Sequence, residues 1–241
     1  MQPDLSYLKK KLEEAQQLAV KAGNPNHWAK PFYSDVHMFQ PGISHCFVGV
    51  NSAGNLASLS IDRADKNEKK MWSGNEPFHN SYLDEHWATN VDRVSARGSA
   101  KLQRAVQNVF RVLYGSNWSN ELRTTACFNL LPVSSASFNK LPAAIRNDCI
   151  AWGLDLIQYL QPKLIIAMGR TGKDITKRGW TLELTKCSRR EIESGDCMAY
   201  VNMGTLELGP NVTARLLSLP HLSNFGGDDL YSVLDEIKSR I

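Results

Sequence analysis

The sequence lacks long hydrophobic runs. None of its apolar runs approaches the roughly 20 residues that a membrane-spanning helix requires. The N-terminal stretch MQPDLSYLKKKLEEAQQ also lacks the apolar core of a secretory signal peptide. We therefore expect a cytoplasmic protein that has no membrane partner.

Cysteine is scarce as well, with five residues in a chain of 241. An odd number of thiols fits reduced cysteines better than a disulfide framework. Cys46, Cys127 and Cys149 lie inside apolar segments, where we expect them to be packing residues. Cys187 and Cys197 are too far apart for a CxxC pair, which argues against a zinc or iron–sulfur site. We expect no metal and no cofactor.

Two common phosphate-binding motifs are absent. The sequence contains neither the dinucleotide fingerprint GxGxxG nor the P-loop GxxxxGK[ST]. Their absence argues against a nucleotide-binding α/β enzyme, which we keep as a third hypothesis. The net charge of +4 permits a polyanionic partner without requiring one.

What the sequence does contain is an alternation of helix and strand patterns. Apolar residues at helical spacing predict helices at about 3–22, 99–114, 142–160 and 228–239. Between them lie four nearly continuous apolar runs, HCFVGV, TTACFNLL, KLIIAMG and ARLLSLP. Such runs are typical of strands covered on both faces. The order predicts an α/β fold, a three-layer α/β/α arrangement around a central, mostly parallel sheet of four strands.

We expect a single domain over residues 1–241, with an N-terminal helix at about 3–22 and a long insert at about 56–97. The insert is polar and has weak periodicity. A segment of this length in a compact domain is usually functional or partly helical. Its large aromatic residues are Trp72, Phe78, Tyr82 and Trp87.

Three of the four apolar strands end in small polar signatures. The segments are GVNSAG, NLLPVSS and LPHLSN. In an open parallel sheet the carboxyl ends of the strands share one edge, where ligands bind. We therefore expect Asn51, Asn129 and His221 to converge on one cleft.

These segments, in this order, resemble motifs of the uracil-DNA glycosylase superfamily. GVNSAG is similar to the first motif of that superfamily in its GMNPG and GINPG forms. FNLLPVSS resembles the strand that supplies a base-reading Asn, and LPHLSNFG resembles the closing His-Pro-Ser motif. PKLIIAMGRTG is similar to the strand and turn between the last two, so the resemblance covers roughly residues 44–240.

The chain departs from the family pattern at three positions. Ser52 and Ala53 stand where the family often has Pro-Gly, and Leu222 stands where it has Pro. The cysteine spacing of the iron–sulfur branches is also absent. The resemblance therefore implies a divergent member whose substrate need not be uracil.

The resemblance implies a monofunctional DNA glycosylase that flips a uracil or a modified pyrimidine out of DNA and hydrolyses its glycosidic bond. Asn51 would position the attacking water, and His221 would donate a hydrogen bond to the base oxygen that gains negative charge. Asn129 would pair with the edge of the base, and Gly49 would let the backbone approach it closely. The structural alternatives are that each Asn caps its own turn and that His221 is a satisfied residue at the sheet edge.

The insert is the expected source of base specificity. Trp72, Phe78, Tyr82 and Trp87 are candidates to stack on a flipped base. His79 and His86 could line the pocket, with a surface position as the alternative. The length of the insert suggests a bulky modified pyrimidine, such as a glycosylated cytosine of phage DNA, and hence a role in antiviral defence.

DNA is the expected partner, bound by a protein that we expect to be a monomer. Ser134, Ser135 and Ser223 are candidates to bond DNA phosphates, with solvated loop positions as the alternative. Phe225 is placed to wedge into the gap left by the extruded base, or to pack at the start of the last helix. The leading alternative function is a catalytically inactive nucleic-acid-binding module on the same fold, motivated by Leu222 and the missing Pro-Gly.

Overall fold

The computed structural model describes residues 2–22, 29–51, 69–90, 93–133, 141–169, 171–176, 188–194, 197–225 and 227–240. The strands are β1 (His45–Asn51), β2 (Ala88–Asn90), β3 (Arg93–Val94), β4 (Ala126–Leu131), β5 (Leu164–Met168), β6 (Ser188–Ser194), β7 (Cys197–Gly209) and β8 (Val212–Leu219). The helices are α1 (Leu5–Lys21), α2 (Ser81–Asp84), α3 (Lys101–Tyr114), α4 (Trp118–Arg123), α5 (Ala143–Leu160), α6 (Thr171–Thr176), α7 (Leu222–Phe225) and α8 (Asp228–Ile237).

The main sheet has the strand order β4–β1–β5–β8–β7–β6. Its first four strands run parallel, and they are the four apolar runs of the sequence. The strands β7 and β6 then continue the sheet in antiparallel pairing beside β8. The α/β class and the mostly parallel sheet are therefore confirmed, whereas the prediction of four strands is wrong because the described sheet has six. The β6 sequence SRREIES escaped prediction because an edge strand need not be a continuous apolar run.

Helices cover both faces of the parallel strands. Every residue of β4 and β5 is buried, as expected for strands between two layers. Val48 belongs to the apolar cluster formed with α1 and α5. Its neighbour Phe47 belongs to the cluster formed with α3 and α8, since successive side chains point to opposite faces.

Local sequence sets the helix ends. Asp4 caps α1, and its Oδ1 accepts hydrogen bonds from the backbone N–H groups of Ser6 and Tyr7 at 3.0 and 3.1 Å. α5 ends where Gln161 turns into the left-handed region, with φ of 43°, before Pro162. α3 ends at Gly115 with φ of 58°, a conformation that glycine adopts without steric cost.

The described part of the insert is held by buried polar contacts. Asp84 in α2 receives Arg123 Nη1 at 2.8 Å and Arg97 Nη2 at 2.9 Å. Asn80 caps α2 by accepting the Tyr82 backbone N–H at 2.9 Å. The polar sequence thus builds a satisfied interior, which explains its weak apolar periodicity.

Among the helices of the described ranges, none is both long and apolar enough to cross a lipid bilayer.

Candidate functional site

The four parallel strands carry the candidate residues to one edge of the sheet. Gly49 in β1 lies opposite Asn129 in β4, and Asn51 lies opposite Leu131. On the other side of β1 the pairing continues through β5 to β8. The ends of all four strands therefore form one carboxyl edge, the usual ligand-binding edge of such a sheet.

Asn129 occupies the space above Gly49. A Cβ atom added to Gly49 would overlap the Asn129 Oδ1, and it would also lie 3.7 Å from the Met168 Cε. Asn129 is only 3% exposed, and its backbone N–H donates to the Pro31 carbonyl at 3.1 Å. Gly49 is thus needed for close approach, here of an amide side chain rather than of a ligand.

His221 lies just beyond β8, over the end of the neighbouring strand β5. A Cβ atom added to Gly169 would lie 3.2 Å from the His221 Cδ2 and 3.1 Å from the Val50 Cγ2. Gly169 itself has φ of 67° and donates its backbone N–H to the Leu219 carbonyl at 2.8 Å. His221 is therefore seated against the ends of β1 and β5, one strand away from the place where Asn129 sits.

The His221 ring is held by the helix that it precedes. Its carbonyl accepts the backbone N–H groups of Asn224 and Phe225 at 2.9 and 3.1 Å, which starts α7. Its Nδ1 lies 2.6 Å from the Ser223 Oγ, while the same hydroxyl lies a longer 3.3 Å from Asn224 Oδ1. Leu222 between them is fully buried, so the turn is anchored in the core.

Burial lowers the pKa of His221 below its usual value, so the ring is neutral at pH 7. A neutral ring that accepts the Ser223 hydroxyl proton at Nδ1 carries its own proton on Nε2. Such a ring can donate a hydrogen bond to a substrate oxygen without first being protonated. Ser223 has this partner inside the protein, and its bond to phosphate stays a prediction.

Asn51 is the last residue of β1, and its side chain lies outside what the structure describes. Ser134 and Ser135 likewise fall outside the described residues. Phe225 is half-buried at the end of α7 and packs against the apolar cluster that includes α3 and α8. The structure thus shows packing by Phe225, and its role as a wedge stays a prediction.

The four aromatic candidates do not all come together. Trp72 and Phe78 pack against the cluster of α1 and α5, with Trp72 edge-on to Phe32 at 6.3 Å between ring centroids. Tyr82 lies in the opposite cluster and is 2% exposed. Its ring contacts Tyr33 at 5.7 Å, so it serves as a core residue. Its ring centroid also lies 5.5 Å from that of Trp87, so two of the four candidates meet, in the cluster opposite Trp72 and Phe78.

A buried ionic cluster near Asn129 was not recognised from the sequence. Glu85 accepts the Trp87 Nε1–H at 3.0 Å and the Ser81 hydroxyl at 2.8 Å, and it forms an ion pair with Lys30. Lys30 precedes Pro31, the residue whose carbonyl binds the backbone of Asn129. The cluster therefore borders β4 at the candidate edge.

The Glu85 carboxylate is ionised despite its burial. Burial by itself raises the pKa of Glu85, but the Lys30 ammonium and the hydrogen bonds from His79 and Ser81 outweigh it and hold the pKa well below its usual value. His79 is buried, so the surface position considered for it is wrong, whereas His86 is exposed. The only sequence signal was the close spacing of charged residues and histidines with aromatics in the insert.

The described residues provide neither a reactive thiol nor a metal-binding cluster at the candidate site. Cys46, Cys127 and Cys149 are buried free thiols, as predicted. Burial raises the pKa of Cys127 to about 12, which keeps it protonated and unreactive. Within the described ranges, no group of three or more His, Cys, Asp and Glu residues is arranged to hold a metal ion.

The described arrangement can form hydrogen bonds but offers little acid–base chemistry. An amide presents a donor and an acceptor together, and a neutral imidazole adds a second donor. These groups suit recognition of a polar, planar ligand and stabilisation of negative charge on it. Compared with known proteins, the chain matches no family model and no curated protein sequence.

Proposed function

We propose that the protein is a monofunctional DNA glycosylase that flips a pyrimidine base out of DNA and hydrolyses its glycosidic bond. The proposal includes the single-domain fold of the uracil-DNA glycosylase superfamily, DNA as partner, a monomeric state and a cytoplasmic location. The observation that carries it is the seating of Asn129 over Gly49 and of His221 over Gly169, on adjacent strands at one sheet edge.

Asn129 would read the base. The Watson–Crick edge of a pyrimidine presents donors and acceptors side by side, and a carboxamide matches such a pair. The lack of a side chain at Gly49 leaves room for the amide in its present position. Replacement of Asn129 would therefore alter which base is accepted, more than it would alter the chemistry.

His221 would stabilise the departing base. As the bond between sugar C1′ and the base nitrogen breaks, its electron pair leaves with the base and negative charge spreads to an exocyclic carbonyl oxygen of the base. A proton on Nε2 of a neutral ring would form a hydrogen bond to that oxygen. Asn51 would orient the water whose oxygen bonds to C1′, and the water proton passes to solvent or to the departing base.

An abasic-site assay tests the proposal on duplex and single-stranded DNA that carries a panel of pyrimidines. We expect release of at least one base, and a drop of about 10²- to 10³-fold for His221→Ala, the usual loss for one such donor. His86→Ala is the matched control, because that ring is exposed and its Nδ1 lies 3.0 Å from the Ser95 carbonyl. Release that is unchanged in both His221→Ala and Asn51→Ala would exclude this mechanism.

The substrate class within the proposal is a modified pyrimidine, with the glycosylated cytosines of phage DNA as the leading hypothesis. This hypothesis is motivated by the insert. Hydrogen bonds to Glu85 and Asp84 hold the described part of the insert in place beside β4. Mass spectrometry of bases freed from several genomic and phage DNAs tests it. Release of uracil alone would reject the modified-base hypothesis and the antiviral role with it.

A second candidate is a nucleic-acid-binding module without turnover. The near-complete burial of Asn129 favours it, since a base can pair only with an amide that it can reach. Tight DNA binding with no release from any base in the panel would support this candidate. Binding of a free nucleotide without DNA affinity would instead support a nucleotide-binding enzyme.

A further inference from the structure

The outer face of helix α3 carries charges of one sign. Its exposed residues are Lys101, Arg104 and Arg111, and the helix contains no Asp or Glu. With 3.6 residues per turn, these three positions fall within about 80° of the helix circumference. They therefore form one stripe. By contrast, the outer face of α1 mixes Lys with Glu.

The cations of this stripe have no acidic partner among the described residues. Arg104 Nη1 donates to the Ser99 carbonyl at 2.8 Å. Arg111 donates to the Asn108 Oδ1, and its guanidinium lies 4.2 Å from the centre of the Trp118 ring. All three basic side chains thus lie at the surface without a described counter-charge.

The stripe begins at the edge of the sheet where the candidate site lies. The Tyr114 ring, at the end of α3, stacks on His45 at the start of β1 with centroids 5.1 Å apart. α3 therefore runs antiparallel to β1, and Lys101 is near the carboxyl edge. α7, which starts directly after His221, packs against α3. From Lys101 to Arg111 the stripe extends for about 15 Å at 1.5 Å per residue.

We propose that this face of α3 binds the phosphate backbone of the DNA strand that flanks the candidate site. The inference rests on the proposed function for its choice of DNA. A 15 Å stripe matches about four successive phosphates of one DNA strand, which are spaced roughly 3.4 Å apart along the axis of the double helix. Contact between Arg111 and Trp118 holds one guanidinium in place before any partner binds.

An anionic membrane surface would attract the same charges, but it fits this helix less well. Helices that lie on membranes bury an apolar face in the lipid. The apolar residues Val106, Val109 and Phe110 of α3 are fully buried in the protein core. α3 offers the charge without the apolar face, which favours a phosphate backbone.

The test compares two variants with equal loss of charge. One is Lys101→Gln/Arg104→Gln/Arg111→Gln on α3. The other is Lys9→Gln/Lys10→Gln/Lys21→Gln on the exposed side of α1, which lies in the layer on the opposite face of the sheet. Binding to unmodified duplex and single-stranded DNA is measured by fluorescence anisotropy between 50 and 200 mM salt.

We expect the slope of log K against log salt to fall by about 2 to 3 in the α3 variant and to stay unchanged in the α1 variant. Affinity of the α3 variant at low salt falls about 10- to 100-fold. Equal losses in the two variants would overturn the proposal, because they would reflect net charge alone. Unchanged DNA binding by an α3 variant that no longer binds phosphatidylserine vesicles would overturn it in favour of a membrane.

Two further variants distinguish a loss of DNA contacts from a loss of folding. Lys101→Gln/Arg104→Gln leaves the Trp118 contact intact and should lower the slope by about 2. Arg111→Lys keeps the charge and should keep the slope. Because the DNA is unmodified, the result does not depend on base release. Base release with wild-type binding by the α3 variant overturns only this inference, whereas an altered slope without release overturns only the glycosylase proposal.

Discussion

The His221 Nδ1 lies 2.6 Å from the Ser223 Oγ, across the fully buried Leu222. This contact fixes the ring relative to α7, and a Ser223 proton donated to Nδ1 would leave the proton of a neutral ring on Nε2. We therefore infer that Ser223 is a positioning residue for His221.

Ser223→Ala should lower base release about 10-fold, because the ring loses the partner that selects its protonated nitrogen. The ¹⁵N shifts of His221 should then show a mixture of the two neutral ring forms, which a purely structural role would not produce. Ser223→Thr keeps the hydroxyl and should restore both the rate of base release and the wild-type ¹⁵N shifts of His221. Identical ¹⁵N shifts in wild type and Ser223→Ala would contradict the assignment.

Gly49→Ala should destabilise the protein by about 1 to 3 kcal/mol, the usual cost of inserting a methyl group into a packed site. The added Cβ would overlap the Asn129 Oδ1. Chemical denaturation measures the loss, and Gly209→Ala is the control, since its Cβ would meet nothing within 4 Å.

The double variant Gly49→Ala/Asn129→Ala tests the same contact in a second way. Removal of the amide relieves the overlap, so the two changes should be less costly together than their sum. Additive losses would show that Gly49 and Asn129 do not compete for the same space.

Lys30→Met should destabilise the protein by about 3 to 5 kcal/mol at pH 7, because it leaves the buried Glu85 carboxylate without its counter-charge. Lys238→Met is the control, since its ion pair with Asp235 is exposed and should matter far less. Urea denaturation of both variants measures the difference. Similar losses in the two variants would contradict a special role for the buried pair.

The effect of Lys30→Met should also depend on pH. In the wild type the pKa of Glu85 is lowered in the folded state, so this stabilisation is present above the unfolded value and is lost as pH falls towards the folded value. In the variant, burial raises the pKa of Glu85, so the carboxyl takes up a proton more readily. The gap in stability between the two proteins should therefore narrow from pH 7 to pH 4.

His45 should make the protein less stable in mild acid. Its Nε2 has no hydrogen-bond partner among the described residues, and burial lowers the pKa of the ring despite the Glu121 carboxylate at 3.7 Å. The unfolded chain therefore binds a proton more readily, so stability falls as pH drops below the unfolded value of about 6.5, by at most about 1.4 kcal/mol per pH unit.

His45→Phe should flatten this dependence between pH 6.5 and 5 while keeping the ring stacked on Tyr114. Thermal unfolding across that range measures it. His86→Phe serves as the control, because it makes the same replacement at an exposed ring. A His45→Phe protein that keeps the wild-type slope would show that other groups dominate.

The sequence by itself determined the fold class and the parallel core. Continuous apolar runs can be satisfied only between two covering layers, so HCFVGV and its three counterparts had few other structures open to them. Helix ends followed from local chemistry, as with the Asp4 cap and the left-handed Gln161. The sequence also placed Asn129 and His221 at the carboxyl edge, since parallel strands share that direction.

Only the tertiary structure decided the edge hairpin, the division of the aromatic residues and the buried ionic cluster. β6 carries no apolar run because its pairing comes from backbone hydrogen bonds with β7. Trp72 and Tyr82 are both large aromatic residues of the insert, yet the chain path places them in opposite layers. Lys30 and Glu85 meet across 55 positions, and a charge partner at that separation leaves no local pattern to read.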